Sequence, residues 1–420
     1  MGSTPLRLAK QSSGITWILL YTKIVTCEAL EMKNTVLTIV CKIQPTPSQV
    51  VKIEATLKGF ADACDYANAT VKPSITSKNT IQTQVYQYIR QTYGLSANLA
   101  VRVCGRVAAN RKTAKHKNKP VSKFTPTSAD YDARIFSYRE KDQTVSLTLV
   151  GGRERFALHM GNYQIGKLKG KTPTSAQLCK HRDGQYYIHI QVKDKAPEPQ
   201  KTNKVIGVDL GRTDIAVTSE GQSFSGKQVT KTRDKFTRVR KQIQHKASKG
   251  TRSSRRRCRQ LQRRLSGREK RFQTWVNHNV SKQIVQTAKS QGAVIALEDL
   301  TGIRDRTNKQ RRSKTERRRS NSWAFYQLRE FIEYKALGAG VEIVFINPRY
   351  TSQTCHNCLH IHPIKGSSYR SGKRYKCGSC GWIGDADFNG SVMIKLLGQS
   401  VTLPGGSYLS CNLLDIVQGC

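Results

Sequence analysis

The chain has 420 residues, with 72 Lys+Arg against 28 Asp+Glu and a formal net charge of +44. A surplus of that size repels itself and calls for a polyanion, so nucleic acid is the expected partner and a small-molecule substrate is not. No stretch approaches the apolar length of a spanning helix, and the hydrophobic run 17–21 is too short for a secretory core, so no membrane partner is expected either. Of the 12 Cys, four are clustered and the rest scattered, which suits a reducing cytoplasm better than a disulfide framework.

Residues 1–31 carry no clear period and read as a disordered N-terminal extension. Met32 precedes the first clean strand, 33–41, and is a candidate for the working start. Thr46-Pro47-Ser48-Gln49 is a helix-start signal: Thr46 caps, Pro47 suits the first helical position and Gln49 completes a capping box. Val50, Ile53, Leu57, Phe60, Ala61 and Cys64 follow at helical spacing. Further helices are predicted over 79–93 and 99–115, the last running into the basic arm 111–119, so 46–124 reads as a helical module.

Strands then return. Segments 134–138 and 144–150 flank a charged turn, and Phe156, Leu158 and Met160 alternate. The clearest hairpin, 178–193, turns at Asp183-Gly184 and sets Tyr186, Ile188, Ile190 and Val192 on one face. We expect a β-barrel built from 32–45 and 125–197, with the helical module inserted, and a linker at Ala196-Pro-Glu-Pro-Gln-Lys201.

The next strand, 205–210, is apolar on both faces except for Asp209. Gly211 follows, then a second strand over 214–218 that alternates apolar and polar, then the turn Glu220-Gly221. A carboxylate at the end of a buried strand either caps a turn or holds a metal. Two later segments repeat the pattern. Strand 293–297 ends in Glu298-Asp299, and Asp385-Ala-Asp387-Phe-Asn389-Gly390 leads into a short apolar helix, 391–397. Carboxylates that converge from three segments would hold Mg²⁺, and two such ions could activate a water and stabilise the leaving oxygen of a phosphodiester.

Between Lys227 and Arg271 stand nineteen Lys/Arg and two acids. A long helix is predicted from 254 through Ile284, basic all round in its first half and amphipathic in its second. Its Arg255, Arg256, Arg257, Arg259, Arg263 and Arg264 wrap more than half the circumference and are candidate phosphate contacts. The segment 304–319, with nine Lys/Arg in sixteen residues, reads as a mobile loop.

Cys355-His-Asn-Cys358 and Cys377-Gly-Ser-Cys380, eighteen residues apart, have the spacing of one structural Cys₄ zinc site rather than a redox pair. Four thiolates fill the shell, so His356, His360 and His362 are expected at the surface.

Val205-Ile-Gly-Val-Asp209-Leu-Gly211, Leu297-Glu298-Asp299-Leu300, Asn347-Pro-Arg-Tyr-Thr-Ser352-Gln-Thr-Cys355, Tyr375-Lys-Cys377-Gly-Ser-Cys380-Gly and Asp385-Ala-Asp387-Phe-Asn389-Gly390 together resemble the TnpB (OrfB) family of transposon-encoded relatives of type V CRISPR effectors. In segment order the likeness covers about 33–396. It implies an α/β multidomain protein: an RNase H-like (RuvC-like) nuclease domain at 203–350 and 382–397 with a zinc ribbon inserted at 351–381. An N-terminal β-barrel (wedge) domain interrupted by a helical recognition module precedes these, and a tail, 398–420, follows them. It further implies a guide RNA from the transposon end, Mg²⁺-dependent cleavage of matched double-stranded DNA beside a short motif, and Asp209, Glu298 and Asp387 as the catalytic, magnesium-binding three. Asp385 sits two residues early and is the weaker candidate. A transposase using the same triad to join strands, and a catalytically silent nucleic-acid binder, remain alternatives. A cytoplasmic, nucleoid-associated location is expected.

Overall fold

The structure, a computed structural model, describes residues 34–200, 202–303, 311, 313–321, 323–362 and 369–402. The N-terminal extension, Met32, most of the basic segment 304–312 and the tail from 403 lie outside the described residues. Two units divide the chain, one within Lys33–Lys195 and one from Ala196 onward.

In the first unit, β1 (Asn34–Ile43) runs into α1 (Pro47–Thr70), whose start is fixed by the expected box. The Gln49 N–H donates to Thr46 Oγ1, and the Thr46 N–H donates to Gln49 Oε1 at 3.1 Å. Helices α2 (Lys78–Tyr93) and α3 (Ala97–His116) complete a three-helix module whose apolar stripes meet: Ile53, Leu57 and Phe60 of α1, Ile81 and Val85 of α2 and Val103 and Val107 of α3 are all fully buried. Strands β2 (Ser128–Asp132), β3 (Phe136–Arg139), β4 (Thr144–Leu149) and β5 (Gly152–His159), the short helix α4 (Asn162–Leu168), and strands β6 (Pro173–Lys180) and β7 (Tyr186–Lys195) follow. With β1 they form one seven-stranded antiparallel sheet in the order β2-β6-β7-β1-β5-β4-β3. The edge strand β3 comes back against β6, so the sheet curls nearly into a barrel. Gly184, at φ 78°, turns β6 into β7, and Tyr186, Ile188, Ile190 and Val192 are buried on one face as their period of two requires.

The second unit is built on β8 (Val205–Asp209), β9 (Asp214–Thr218), β10 (Ser223–Ser225), α5 (Lys227–Lys249), α6 (Arg252–Leu265), α7 (Arg268–Gln291), β11 (Val294–Glu298), α8 (Lys314–Asn321), α9 (Phe325–Ala339) and β12 (Ile343–Ile346). Strands β13 (Arg370–Ser371), β14 (Arg374–Lys376) and β15 (Ile383–Asp385) and helix α10 (Ala386–Thr402) complete it. The central sheet has the order β10-β9-β8-β11-β12, antiparallel through β8–β10 and parallel from β8 to β11 to β12. Helices cover both faces. Ile206, Val208, Ile295 and Leu297 pack with Ile284 of α7 and Ile332 of α9, while Val205, Val294 and Ala296 pack with Ile394 of α10.

Several expectations are corrected. The long basic helix is two helices, because Gly267 at φ 79° leaves the helical region between α6 and α7. Helix α10 starts at Ala386 rather than 391, since Asp385 accepts the Asp387 and Phe388 N–H groups, each at 2.9 Å, and caps it there. Strand β9 is buried along its whole length, Asp214 and Thr218 included, because β8 and β10 flank it and α10 covers it. Part of 304–319 is helical, as α8.

Candidate metal and catalytic centre

Period-two alternation positions the acids. In β8 the residues that face α10 are Val205, Gly207 and Asp209; in β11 they are Val294, Ala296 and Glu298. Val208 pairs with Leu297 in parallel register, so Asp209 and Glu298 emerge side by side at the C-terminal ends of neighbouring strands, on the same face. Helix α10 crosses that face closely. A Cβ on Gly207 would lie 2.0 Å from the Ser391 carbonyl, so glycine is required there, and one on Gly390 would crowd Asp209 Oδ2 at 3.1 Å. Asp387, in the first turn of α10, completes the group.

Asp209 senses the other two carboxylates. Burial pushes Asp209 well above the usual carboxylate range, and repulsion from Glu298 and Asp387 adds to it. Burial also raises Glu298, against a hydrogen bond donated by Thr351 Oγ1. A folded-state pKa above the unfolded value contributes stability that is fully present below the ordinary carboxylate range and is lost as pH rises through the raised value. The Asp209 charge is therefore destabilising at neutral pH in the metal-free protein. Asp209→Asn is expected to raise the melting temperature without added divalent ions, by about 2–4 °C for ~1 kcal/mol; a lower melting temperature than wild type would contradict this.

The neighbouring acids are otherwise engaged. Asp299 is exposed, with its Oδ1 on Arg329 Nη1 at 2.9 Å and on Thr301. Asp385 caps α10. Asp214, buried on β9, is held by Lys373 Nζ. Lys373 also lies 3.7 Å from Asp387 Oδ2, and Arg370 Nη2 donates to Asp387 Oδ1 at 3.1 Å. Two cations of the β13–β14 hairpin therefore neutralise Asp387.

The hairpin belongs to the cysteine module. The four Sγ atoms of Cys355, Cys358, Cys377 and Cys380 lie within 4.8 Å of one another. Cys355 Sγ to Cys380 Sγ is 3.8 Å and Cys358 Sγ to Cys377 Sγ is 3.6 Å. Tetrahedral zinc with ~2.3 Å bonds sets its sulfurs about 3.8 Å apart, so the set fits that ion. The module is fastened to α10 through Asn389, which is fully buried. Its Nδ2 donates to the Thr354 carbonyl at 2.7 Å, and its Oδ1 accepts the His356 N–H at 2.9 Å. The histidines correct the surface expectation in part: His360 is exposed, but His356 bonds Asn389, and His362 is only 7% exposed, stacked on Tyr369 at 4.8 Å.

Arg255, Arg256, Arg257, Arg259, Arg263 and Arg264 are all exposed on α6, which packs on α5 through Cys258 and Ile243. Among the described residues no helix is long and apolar enough to cross a membrane. Sequence reasoning gave no role to Thr351, Asn389, Asp214, Lys373 or Arg370. Thr351 lies inside the quoted Asn347–Cys355 motif, which is a signal; Asp214 and Lys373, 159 residues apart, carry none.

Residues 187–301 match the family described as "Probable transposase" (OrfB_IS605), and residues 325–394 match the one described as "Cas12f1-like, TNB domain". The chain is 30% identical to the CRISPR-associated endodeoxyribonuclease Cas12f1 of Sulfoacidibacillus thermotolerans over 54% of each protein. It is 36% identical to a TnpB-like protein of Methanocaldococcus jannaschii over 37% of this chain and 51% of that protein. It thus spans about half the length of the curated relatives it matches. Among solved structures, a Cas12f1–sgRNA–target DNA complex aligns over 85% of this chain and 83% of that one, with a TM-score of 0.55 at 13% identity, a likeness of fold.

Proposed function

We propose that the chain is a member of the TnpB (OrfB) family, which its matches over 187–301 and 325–394 and its likeness to a TnpB-like protein support, and that it is a transposon-associated, RNA-guided DNA endonuclease. In this reading the five-stranded sheet with α7, α9 and α10 is an RNase H-like (RuvC-like) domain over 203–350 and 382–397, and 351–381 is its zinc ribbon. The curled sheet (32–45 and 125–197) is a wedge domain and 46–124 its recognition module. The protein then works as a cytoplasmic, nucleoid-associated enzyme, on double-stranded target DNA paired with a guide RNA.

The observation that supports the reading most is the convergence of three half-buried carboxylates, Asp209, Glu298 and Asp387, with Asp209 repelled by the other two. Such a set is unstable alone and suits divalent cations. We assign it two Mg²⁺, which when bound would polarise the scissile phosphodiester and favour attack by water. Thr351 orients Glu298 by its hydroxyl donation. Arg370 and Lys373 neutralise Asp387; with a divalent ion bound there, Arg370 would be available to a phosphate while Lys373 keeps Asp214. Asp385 keeps its capping role.

Incubating the protein with the transcript of its flanking DNA, matched duplex and Mg²⁺ tests the proposal. Defined double-strand breaks support it. Joined strands would favour the transposase that the matched family description names, and a mobility shift without cleavage would favour a silent binder.

The exposed arginines of α6 are read as backbone contacts to guide RNA. Arg255, Arg256 and Arg257 changed together to Gln should weaken RNA binding whatever the guide sequence. The slope of log affinity against log salt should fall by about 0.7–0.9 for each phosphate no longer neutralised. Helix propensity hardly changes from Arg to Gln, so the fold survives. An unchanged slope would make α6 a solvated face.

A further inference from the structure

A cavity of about 530 Å³ opens between α5, α7, α8, α9 and the β8–β9 turn. It is distinct from the carboxylate centre, none of whose acids line it. Its size lies in the range of small-ligand sites. Its lining carries both cations and aromatic rings, and each asks for a different part of one ligand.

Six cations line the cavity against two carboxylates, Asp234 and Glu269. Both carboxylates are engaged: Glu269 by Arg240 at 2.8 Å and Asp234 by Arg318 at 2.7 Å. The surplus is positive, so the space favours an anion. Gly226, Lys227, Val229 and Thr230, the N-terminal turn of the 23-residue helix α5, form part of the same wall. That turn has no acidic residue; its Lys227 N–H donates to Ser225 Oγ at 3.3 Å, and its dipole otherwise favours an external anion. Gly226 cannot be larger: a Cβ there would lie 2.7 Å from the Thr213 carbonyl.

Gln273 also lines the cavity, only 9% exposed. Its Nε2 donates to Asn277 Oδ1 at 2.8 Å, and its Oε1 accepts no hydrogen bond. The amide orientation is fixed by the network, since Asn277 Nδ2 already donates to the Ala324 carbonyl and to Gln327 Oε1. A buried acceptor without a donor is an expensive feature that a ligand N–H would relieve. Beside it stand Phe325 and Trp323, ring centroids 4.7 Å apart and tilted by 43°, flat surfaces of the kind on which nucleobases stack.

We propose that this cavity binds one unpaired nucleotide of a bound strand, its phosphate at the α5 N-terminus and cations, its base against Phe325 and Trp323 with an N–H donated to Gln273 Oε1. The site takes its occupant from the nucleic-acid reading above, but it stands or falls without guide or magnesium.

The test is calorimetric titration of the full chain with AMP, dAMP, ribose 5-phosphate and inorganic phosphate. AMP is expected to bind at least tenfold tighter than ribose 5-phosphate. Gln273→Leu should remove that advantage and leave ribose 5-phosphate unchanged, while Arg240→Gln should weaken both. Should Gln273→Leu melt early, Trp323→Leu carries the same comparison. AMP tenfold tighter than dAMP assigns the site to RNA, and equal binding assigns it to either strand. AMP binding no tighter than phosphate, or indifferent to all three variants, overturns the proposal. Asp209→Ala should leave AMP binding intact. Cleavage that persists without AMP binding overturns only this site, and AMP binding without cleavage overturns only the nuclease reading.

Discussion

Asp209→Ala, Glu298→Ala and Asp387→Ala are each expected to abolish the proposed DNA cleavage while RNA and DNA binding stays nearly unchanged. The reason is the division of labour in the proposed centre. Each change removes a candidate metal ligand from the face between β8, β11 and α10, and none removes a group that touches phosphate. A missing ligand weakens transition-state stabilisation by several kcal/mol, and each 1.36 kcal/mol is tenfold, so the expected loss is on the order of a thousandfold or more. The three differ in stability. Asp209→Ala and Glu298→Ala relieve repulsion at half-buried Asp209, whereas Asp387→Ala leaves Arg370 to the Gly372 carbonyl and Lys373 to Asp214 alone. Asp385→Ala is the informative neighbour. It removes the cap of α10, worth ~1 kcal/mol, and should lower the melting temperature more than the cleavage rate. A dead Asp385→Ala beside an active Asp387→Ala would reverse the assignment within that motif.

Cys377→Ser has the second large effect. The binding energy of a structural zinc is folding energy, about 10 kcal/mol or more for a closed Cys₄ site, so the substitution should release the metal and unfold 351–381. The damage does not stay local. Strand β15 runs directly into α10, and Asn389 ties that helix to Thr354 and His356. Without the cysteine module, Asp387 should lose its support, and the proposed cleavage should fail with it. Metal analysis should find about one zinc per wild-type chain. None after purification without chelator would refute the Cys₄ site, and a Cys377→Ser protein that melts like wild type would refute the coupling.

Period-two and helical stripes made much of the fold legible, because a buried face writes its period into the sequence. The capping box at Thr46 and the Asp183-Gly184 turn are local devices and were readable for the same reason. Gly267 was the exception among local signals. Arginines and glutamines on both sides are helix-competent, and only the positive φ at that glycine separates α6 from α7. The acids drew notice because a carboxylate stands out in an apolar strand. Their side-by-side emergence depends on the Val208–Leu297 register, which pairs residues far apart in the chain. Asp214 with Lys373, and Gln273 with its vacant acceptor, left no trace for the same reason. Their meaning lies in what other segments bring to them.

The measurement that bears most directly on RNA-guided cleavage is to exchange the guide. The protein is loaded with transcripts that share a scaffold but differ in their pairing segment, and the cut positions are mapped on one duplex that contains both matching sites. RNA guidance predicts that each cut moves to the site matched by its guide, that Mg²⁺ is required, and that Asp209→Ala abolishes both cuts. Cutting at one fixed sequence whatever the guide, or cutting that survives Asp209→Ala, would contradict it.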